Sequence, residues 1–235
     1  MNAVTEVDAL IVGGGPVGLA AGCALRAAGV TVLVADAGPA GRALDDARVI
    51  ALSAGSRDIL RGLGAWPATD VTPIQRIHIS QRGHFGRTEL RAPDYGVEAL
   101  GHVARAGTLA RALGERAGAL GLEVRHDTPV AGAQECNGRL HVQTAGGDIA
   151  ARVLLWCEGR ISGNEALSRS RDYGQQAIIA LATPVRPHGN VVFERFTPDG
   201  PVASLPCGRD YAVVYTCADT DAAAQAQNLL HGGYI

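Results

Sequence analysis

The 235-residue chain contains no lysine; all 21 of its basic residues are arginine. That absence excludes any mechanism built on a lysine amine, whether a Schiff-base nucleophile or a Tyr-Lys dehydrogenase pair. Aromatic residues are scarce at 4%, and the net charge of −2 comes with no basic cluster, so no nucleic-acid surface is expected. The five cysteines (Cys23, Cys136, Cys157, Cys207 and Cys217) form no CxxC pair and no metal-ligand spacing. Scattered through apolar contexts, they read as small buried hydrophobes in a reduced, cytoplasmic compartment. His78, His84 and Asp94 match no ligand pattern either, so no metal is expected. The Ser53-Ala54-Gly55-Ser56 turn does not satisfy GxSxG. Asp45 and Asp46 are adjacent and project differently, so they do not make an acid/base pair. No catalytic side chain is therefore assigned.

The start of the sequence is not expected to act as a secretory signal. The longest uncharged stretch, residues 9–25, is preceded by the acids Glu6 and Asp8 and interrupted by Gly13-Gly14-Gly15-Pro16. It reads as a buried strand, a turn and a helix. What the chain does have is 47% hydrophobic residues, 19% charged residues and 31 glycines. That composition belongs to a globular chain of one large domain or two modest ones, and the length suffices to bury a core.

The pattern predicts a strand over 7–12, a helix over 17–28 and a second buried strand over 31–34. This order implies a parallel pair joined by a crossover. Residues 38–46 read as loop and 53–63 as helix. From residue 72 the texture changes: 74–80 alternates as a half-buried strand, and Gln81-Arg82-Gly83 reads as a hairpin turn. A helix is predicted over 108–120. Strand follows over 123–125 running into 129–133, then over 140–143 and 149–155, with turns at Asn137-Gly138 and Gly146-Gly147. Strands over 177–182, 191–196, 202–205 and 211–216 and a helix over 219–230 complete the chain. Thr197-Pro198-Asp199-Gly200 is a turn.

Gly13, Gly15 and Gly18 satisfy GxGxxG between the first strand and the first helix, and Asp36 ends the next strand 21 residues after Gly15. Each position has a physical reason. Gly13 permits the tight turn, Gly15 lets a pyrophosphate approach the backbone, and Gly18 lets helix and strand pack closely. The helix N-terminus attracts the phosphate charge. Asp36 is placed to accept hydrogen bonds from an adenosine ribose and to disfavour a 2′-phosphate. The motif alone leaves FAD and NAD equally open.

The fingerprint, together with Asp46-Ala47-Arg48-Val49-Ile50-Ala51-Leu52-Ser53 and Arg152-Val153-Leu154-Leu155-Trp156-Cys157-Glu158-Gly159, resembles the FAD-dependent aromatic hydroxylases of the para-hydroxybenzoate hydroxylase type. Ile79-Ser80-Gln81-Arg82-Gly83-His84 and Phe193-Glu194-Arg195-Phe196-Thr197-Pro198-Asp199-Gly200-Pro201 look most similar to the ubiquinone-biosynthesis branch, the octaprenyl-methoxyphenol hydroxylases. The resemblance implies an α/β fold: a Rossmann-like FAD-binding domain (1–71 and 100–165) interleaved with a sheet-rich substrate domain (72–99 and 166–235). It implies FAD as cofactor, NAD(P)H as transient reductant, and a small aromatic, prenylated phenol and O2 as substrates. A peripheral membrane surface or pathway enzymes are implied as further contacts. Gly13, Gly15, Gly18, Asp36, Arg48 and Gly159 are the implied cofactor-binding residues, with Arg48 near the flavin.

Two positions depart from the family pattern: Glu158-Gly159 stands for the usual Asp-Gly, and His102 replaces a glutamine in the family loop at 100–103. The family's third motif, a Gly-Asp pair opening a helix, is not found after Gly159, and Gly208-Arg209-Asp210 reads as a hairpin turn instead. On that ground the chain is expected to lack the C-terminal part of the fold. A non-catalytic nucleotide-binding remnant and an NAD-dependent dehydrogenase are the two alternatives.

Overall fold

The computed structural model describes residues 4–159 and 171–230. The chain divides into two compact units: 1–48, 58–67 and 106–169 in the first, and 49–57, 68–105 and 170–235 in the second.

In the first unit, β1 (Thr5–Val12) ends in the buried run Ala9, Leu10, Ile11 and Val12. A continuous apolar run is what a strand covered on both faces requires. β1 lies parallel to β2 (Val32–Ala35) on one side and to β11 (Ile149–Trp156) on the other. β8 (Glu123–Arg125) adds in parallel to β2, while β10 (Arg139–Thr144) and β9 (Val130–Cys136) complete the far edge in antiparallel fashion. The order is β8-β2-β1-β11-β10-β9. Leu10, Leu33, Val142 and Ile149 are wholly buried within one cluster of this sheet. α1 (Pro16–Ala27) carries the chain from β1 to β2 and packs beside α3 (Ala106–Ala119). The parallel pair and crossover helix are as the sequence predicts.

The stretch read as one strand from 123 to 133 is instead two, on opposite edges of the sheet. Asp127 breaks it by adopting φ +50°, and its N–H donates to the Gly38 carbonyl at 3.0 Å. The next N–H, of Thr128, donates to the Asp36 carbonyl at 2.8 Å. The β9–β10 hairpin turns on Asn137 (φ +53°) and Gly138 (φ +73°), the left-handed pair that a two-residue turn between twisted strands needs.

The second unit holds two sheets. β3 (Val49–Leu52), β7 (Gly101–Arg105) and β4 (Val71–Ile74) form a small antiparallel one. The larger has the order β12-β15-β14-β13-β5-β6, from β12 (Gln175–Ala182), β15 (Asp210–Ala218), β14 (Gly200–Cys207), β13 (Val191–Thr197), β5 (Arg76–Gln81) and β6 (Arg87–Arg91). Only the β13–β5 pair is parallel. Ile74 and Val103 of the small sheet pack with Val192, Cys207 and Ala212 of the large one. On the other face, α4 (Ala222–Leu230) buries Ala222 against Val202, Val213, Tyr215 and Cys217. α2 (Ala54–Gly62) is amphipathic and is divided between the units, with its buried Leu60 in the first.

Several sequence readings change here. Residues 74–80 are not one strand: β4 and β5 belong to different sheets. Gln75 between them sends its backbone N–H to the Asn190 carbonyl (2.9 Å) and its side-chain amide to the Glu98 carbonyl (2.8 Å). The hairpin turn after β5 extends through 82–86. Its second strand, RTELR, lacked an apolar alternation because it lies on the sheet edge with three of its five residues exposed. Residues 100–103, read as loop, mostly form β7, and Arg42–Asp45, also read as loop, forms a 3-10 turn.

Candidate nucleotide site

The crossover from β1 to α1 is built by glycines that do different work. Gly13 adopts φ +108°, and a Cβ there would sit 2.8 Å from the backbone C and O of Cys157. A Cβ on Gly18 would fall 1.9 Å from the Gly13 carbonyl oxygen. These two positions are therefore dictated by the packing of the protein on itself. Gly14 faces Asp36, whose Cβ, Cγ and Oδ2 all lie 3.1 Å from where a Cβ would be. Gly15 is different. Its backbone is extended (φ −75°, ψ 179°), and a Cβ would meet nothing within 4 Å. Among the described residues no neighbour requires glycine at 15, and the space above it is open.

α1 begins on that residue. Pro16 occupies the first helical position, where its missing N–H costs nothing. The helix has no side-chain cap and no acidic residue in its first turn. The partial positive charge at the end of a 12-residue helix is thus not neutralised from within α1.

Asp36 follows β2 directly and is held from both sides. Its N–H donates to the Arg125 carbonyl, and its own carbonyl accepts from Thr128, both at 2.8 Å. Its Oδ2 lies 3.6 Å from His126 Nδ1. Beside this carboxylate opens a cavity of about 360 Å³, lined by Gly14, Asp36, Leu44, Ala110, Leu122, Val124 and His126 among others. A polar end at Gly14, Asp36 and His126 and apolar walls from α3 and β8 suit a ligand with a polar sugar and a flat ring. His126 and Leu44 were not singled out from sequence. His126 follows β8, and only the strand order, which sets β8 against β2, brings it to Asp36.

Arg48 is exposed, and its guanidinium is clamped by Asp46: Nε donates to Oδ1 at 2.9 Å and Nη2 to Oδ2 at 2.6 Å. The hydrogen bonds from Arg48 hold the Asp46 carboxyl below its ordinary pKa and raise that of the arginine. The segment rests on the start of α3, where Ala106 N–H donates to the Arg48 carbonyl and Gly107 N–H to the Asp46 carbonyl. The pair's small stabilisation is complete above the pH where an unfolded aspartate titrates, and it fades as pH falls through the lowered native value. An exposed pair of this kind contributes little, so Asp46→Asn should lower unfolding free energy by less than about 1 kcal/mol, read by urea denaturation.

Gly159 adopts φ +76° and is exposed, two residues past the Cys157 peptide that touches Gly13. Burial of Cys157 raises its thiol pKa, so this cysteine is not an activated nucleophile. Gly13, Gly18 and the Cys157 backbone form one contact, and Gly14 joins Asp36 to it. Arg48 reaches the same cavity only through its segment, by way of Leu44. His102 sits in β7, paired with Leu52 and Pro73.

The family described as FAD binding domain matches residues 6–207. Ubiquinone hydroxylase UbiL of Rhodospirillum rubrum is 30% identical over 225 residues, covering 89% of this chain and 51% of the relative. The 3-demethoxyubiquinol 3-hydroxylase of Escherichia coli is 28% identical, covering 97% of this chain and 61% of the relative. The chain spans about half the length of the curated relatives it matches. Among solved structures, p-nitrophenol 4-monooxygenase PnpA from Pseudomonas putida matches with a TM-score of 0.75 at 16% identity, covering 96% of this chain and 61% of that one. PqsL of P. aeruginosa, solved with 2-aminobenzoylacetate, matches with a TM-score of 0.76 at 16% identity, over 94% and 63%. These likenesses give the fold: a Rossmann-like FAD-binding part with a sheet-rich companion.

Proposed function

The chain belongs to the FAD binding domain family, and from that premise we propose that it carries the FAD site of an NAD(P)H-consuming monooxygenase that hydroxylates an aromatic ring. The observation that carries this is the vacancy at Gly15, at the start of an uncapped helix and one residue from the contact between Gly14 and Asp36. The relatives named as ubiquinone and demethoxyubiquinol hydroxylases support a phenol of the ubiquinone pathway as the substrate class.

In this reading the free N–H groups at the start of α1 bind the pyrophosphate, which comes to rest against the Gly15 backbone. Gly13 and Gly18 hold helix and strand close enough for that approach. The Asp36 carboxylate accepts the ribose hydroxyls, and Leu44, Ala110, Leu122 and Val124 enclose the adenine. Arg48 supplies a fixed cation toward the flavin, its guanidinium oriented by Asp46. Gly159 allows the chain after β11 to pass near the cofactor without a side chain. Bound FAD would supply hydride acceptance and oxygen activation, which no side chain of this protein can perform.

Asp36→Asn keeps the shape and removes the charge. A hydrogen bond to a charged group contributes about 1.5 kcal/mol or more, so this substitution should weaken FAD binding roughly tenfold. Titration of both proteins with FAD checks it. The activity is tested by incubating the FAD-loaded chain with NADH or NADPH and a panel of phenols, following nicotinamide oxidation and the hydroxylated product together. Oxidation stimulated by a phenol, with the ring product formed, is expected. FAD binding with no phenol-dependent oxidation would refute the hydroxylase reading for this chain.

A further inference from the structure

Among the described residues, the larger sheet of the second unit has one face that is covered at one end and open at the other. α4 covers the end formed by β12 and β15. At the opposite end, the side chains of β6, β5 and β13 that share this face lie in three rows, set by the strand registers: Arg91–Arg76–Val191, Glu89–His78–Phe193 and Arg87–Ser80–Arg195. Four arginines and one glutamate leave an excess of three positive charges there, on a chain whose net charge is −2.

The charges are not equivalent. Glu89 is already engaged by Arg76 (3.3 Å) and Arg91 (3.0 Å). Among the described residues, the side chains of Arg87 and Arg195 have no ion-pair or hydrogen-bond partner, and they flank the Ser80 hydroxyl from the two neighbouring strands. With His78 and Phe85 they line an open concavity of about 470 Å³. Charge on an edge strand such as β6 can serve simply to block strand addition. That does not explain Arg195, which lies two strands inside the edge, nor the aromatic residues. Phe85, in the turn 82–86, is fully exposed, and Phe193, 5.6 Å from the His78 ring, is 43% exposed. An exposed aromatic tip beside unpaired arginines offers two things at once: an apolar group for an acyl layer and donors for the phosphates just above it. A free phosphate compound would use the arginines and leave Phe85 without purpose.

We propose that this face, through Arg87, Arg195, Ser80 and Phe85, docks the chain on the surface of a bilayer containing anionic phospholipid. The residues of this face include none of the glycine-rich crossover, and its test needs neither flavin nor turnover.

The chain is sedimented with vesicles of phosphatidylcholine alone and with an equal mixture of phosphatidylcholine and phosphatidylglycerol. Binding to the mixed vesicles and not to phosphatidylcholine alone is expected, declining as salt rises. Arg87→Gln with Arg195→Gln should weaken it by about thirtyfold, roughly fivefold for each arginine. Arg26→Gln with Arg111→Gln removes the same charge elsewhere and should leave binding near the original value. Phe85→Ser should remove the part of the binding that survives high salt. Both arginines are exposed, so unchanged circular dichroism is expected throughout.

The proposal is overturned if the chain ignores anionic vesicles or binds both kinds equally. It is equally overturned if the two pairs of arginine variants behave alike, or if inorganic phosphate displaces the chain from vesicles where chloride of equal ionic strength does not.

Discussion

Gly15→Ala should leave the chain folded and strip it of most of its affinity for FAD. The backbone at 15 is extended, a region any residue adopts, and the new methyl would meet no atom of the described residues within 4 Å. Alanine is a poorer N-cap than glycine by a few tenths of a kcal/mol or more. The reduced freedom of the unfolded chain offsets that by about 0.4–1 kcal/mol. Unfolding free energy should therefore move by less than about 1 kcal/mol. The methyl would instead occupy the approach of the pyrophosphate to the backbone. Overpacking of that kind costs about 1–3 kcal/mol, which corresponds to a loss of roughly 5- to 150-fold in affinity. Urea denaturation and FAD titration of the same preparation separate the two effects. A variant that binds FAD as well as the parent would mean that the space above Gly15 is not where the pyrophosphate lies.

Gly13→Ala and Gly18→Ala should do the opposite and strike the fold first. At Gly13 alanine would have to adopt φ +108° while its Cβ pressed on the Cys157 backbone at 2.8 Å. Strained backbone of this kind costs about 1–3 kcal/mol by itself. At Gly18 the Cβ would fall 1.9 Å from the Gly13 carbonyl oxygen, so α1 must move away from β1. Neither contact can be relieved by turning a side chain, because the opposing atoms are backbone. Each substitution should lower stability by roughly 2–4 kcal/mol, a large share of the 5–15 kcal/mol that typically holds a domain together. Urea midpoints read the loss directly. If either variant kept the parental midpoint, the close contact of α1 with β1 would be refuted.

These opposed expectations mark what could be read from the sequence. GxGxxG between a strand and a helix identified the crossover, and the apolar runs of β1 and β2 identified a buried parallel pair, because both signals are local. The fingerprint assigns Gly13 and Gly18 to the turn and to helix–strand packing and Gly15 to a pyrophosphate, but it does not reveal which atoms press on Gly13. Those atoms are the backbone of Cys157, which is 144 residues beyond Gly13 in the chain. His126 was invisible for a similar reason: its meeting with Asp36 depends on β8 pairing with β2, a register that no spacing encodes. β3 and β7 were missed because four- and five-residue strands in a small sheet show too little alternation to register. The single strand read over 74–80 failed on Gln75, whose hydrogen bonds split one periodic run between two sheets. Arg48 was singled out by resemblance alone, and the structure adds the carboxylate that orients it.

The most direct measurement is a titration of the purified chain with FAD, followed by quenching of flavin fluorescence and repeated with NADH. The glycine-rich crossover, the Asp36 carboxylate and the cavity beside them predict saturable binding of one FAD per chain that NADH at equal concentration does not displace. Tight binding of NADH with no affinity for FAD would contradict that account and point instead to a nicotinamide dehydrogenase site.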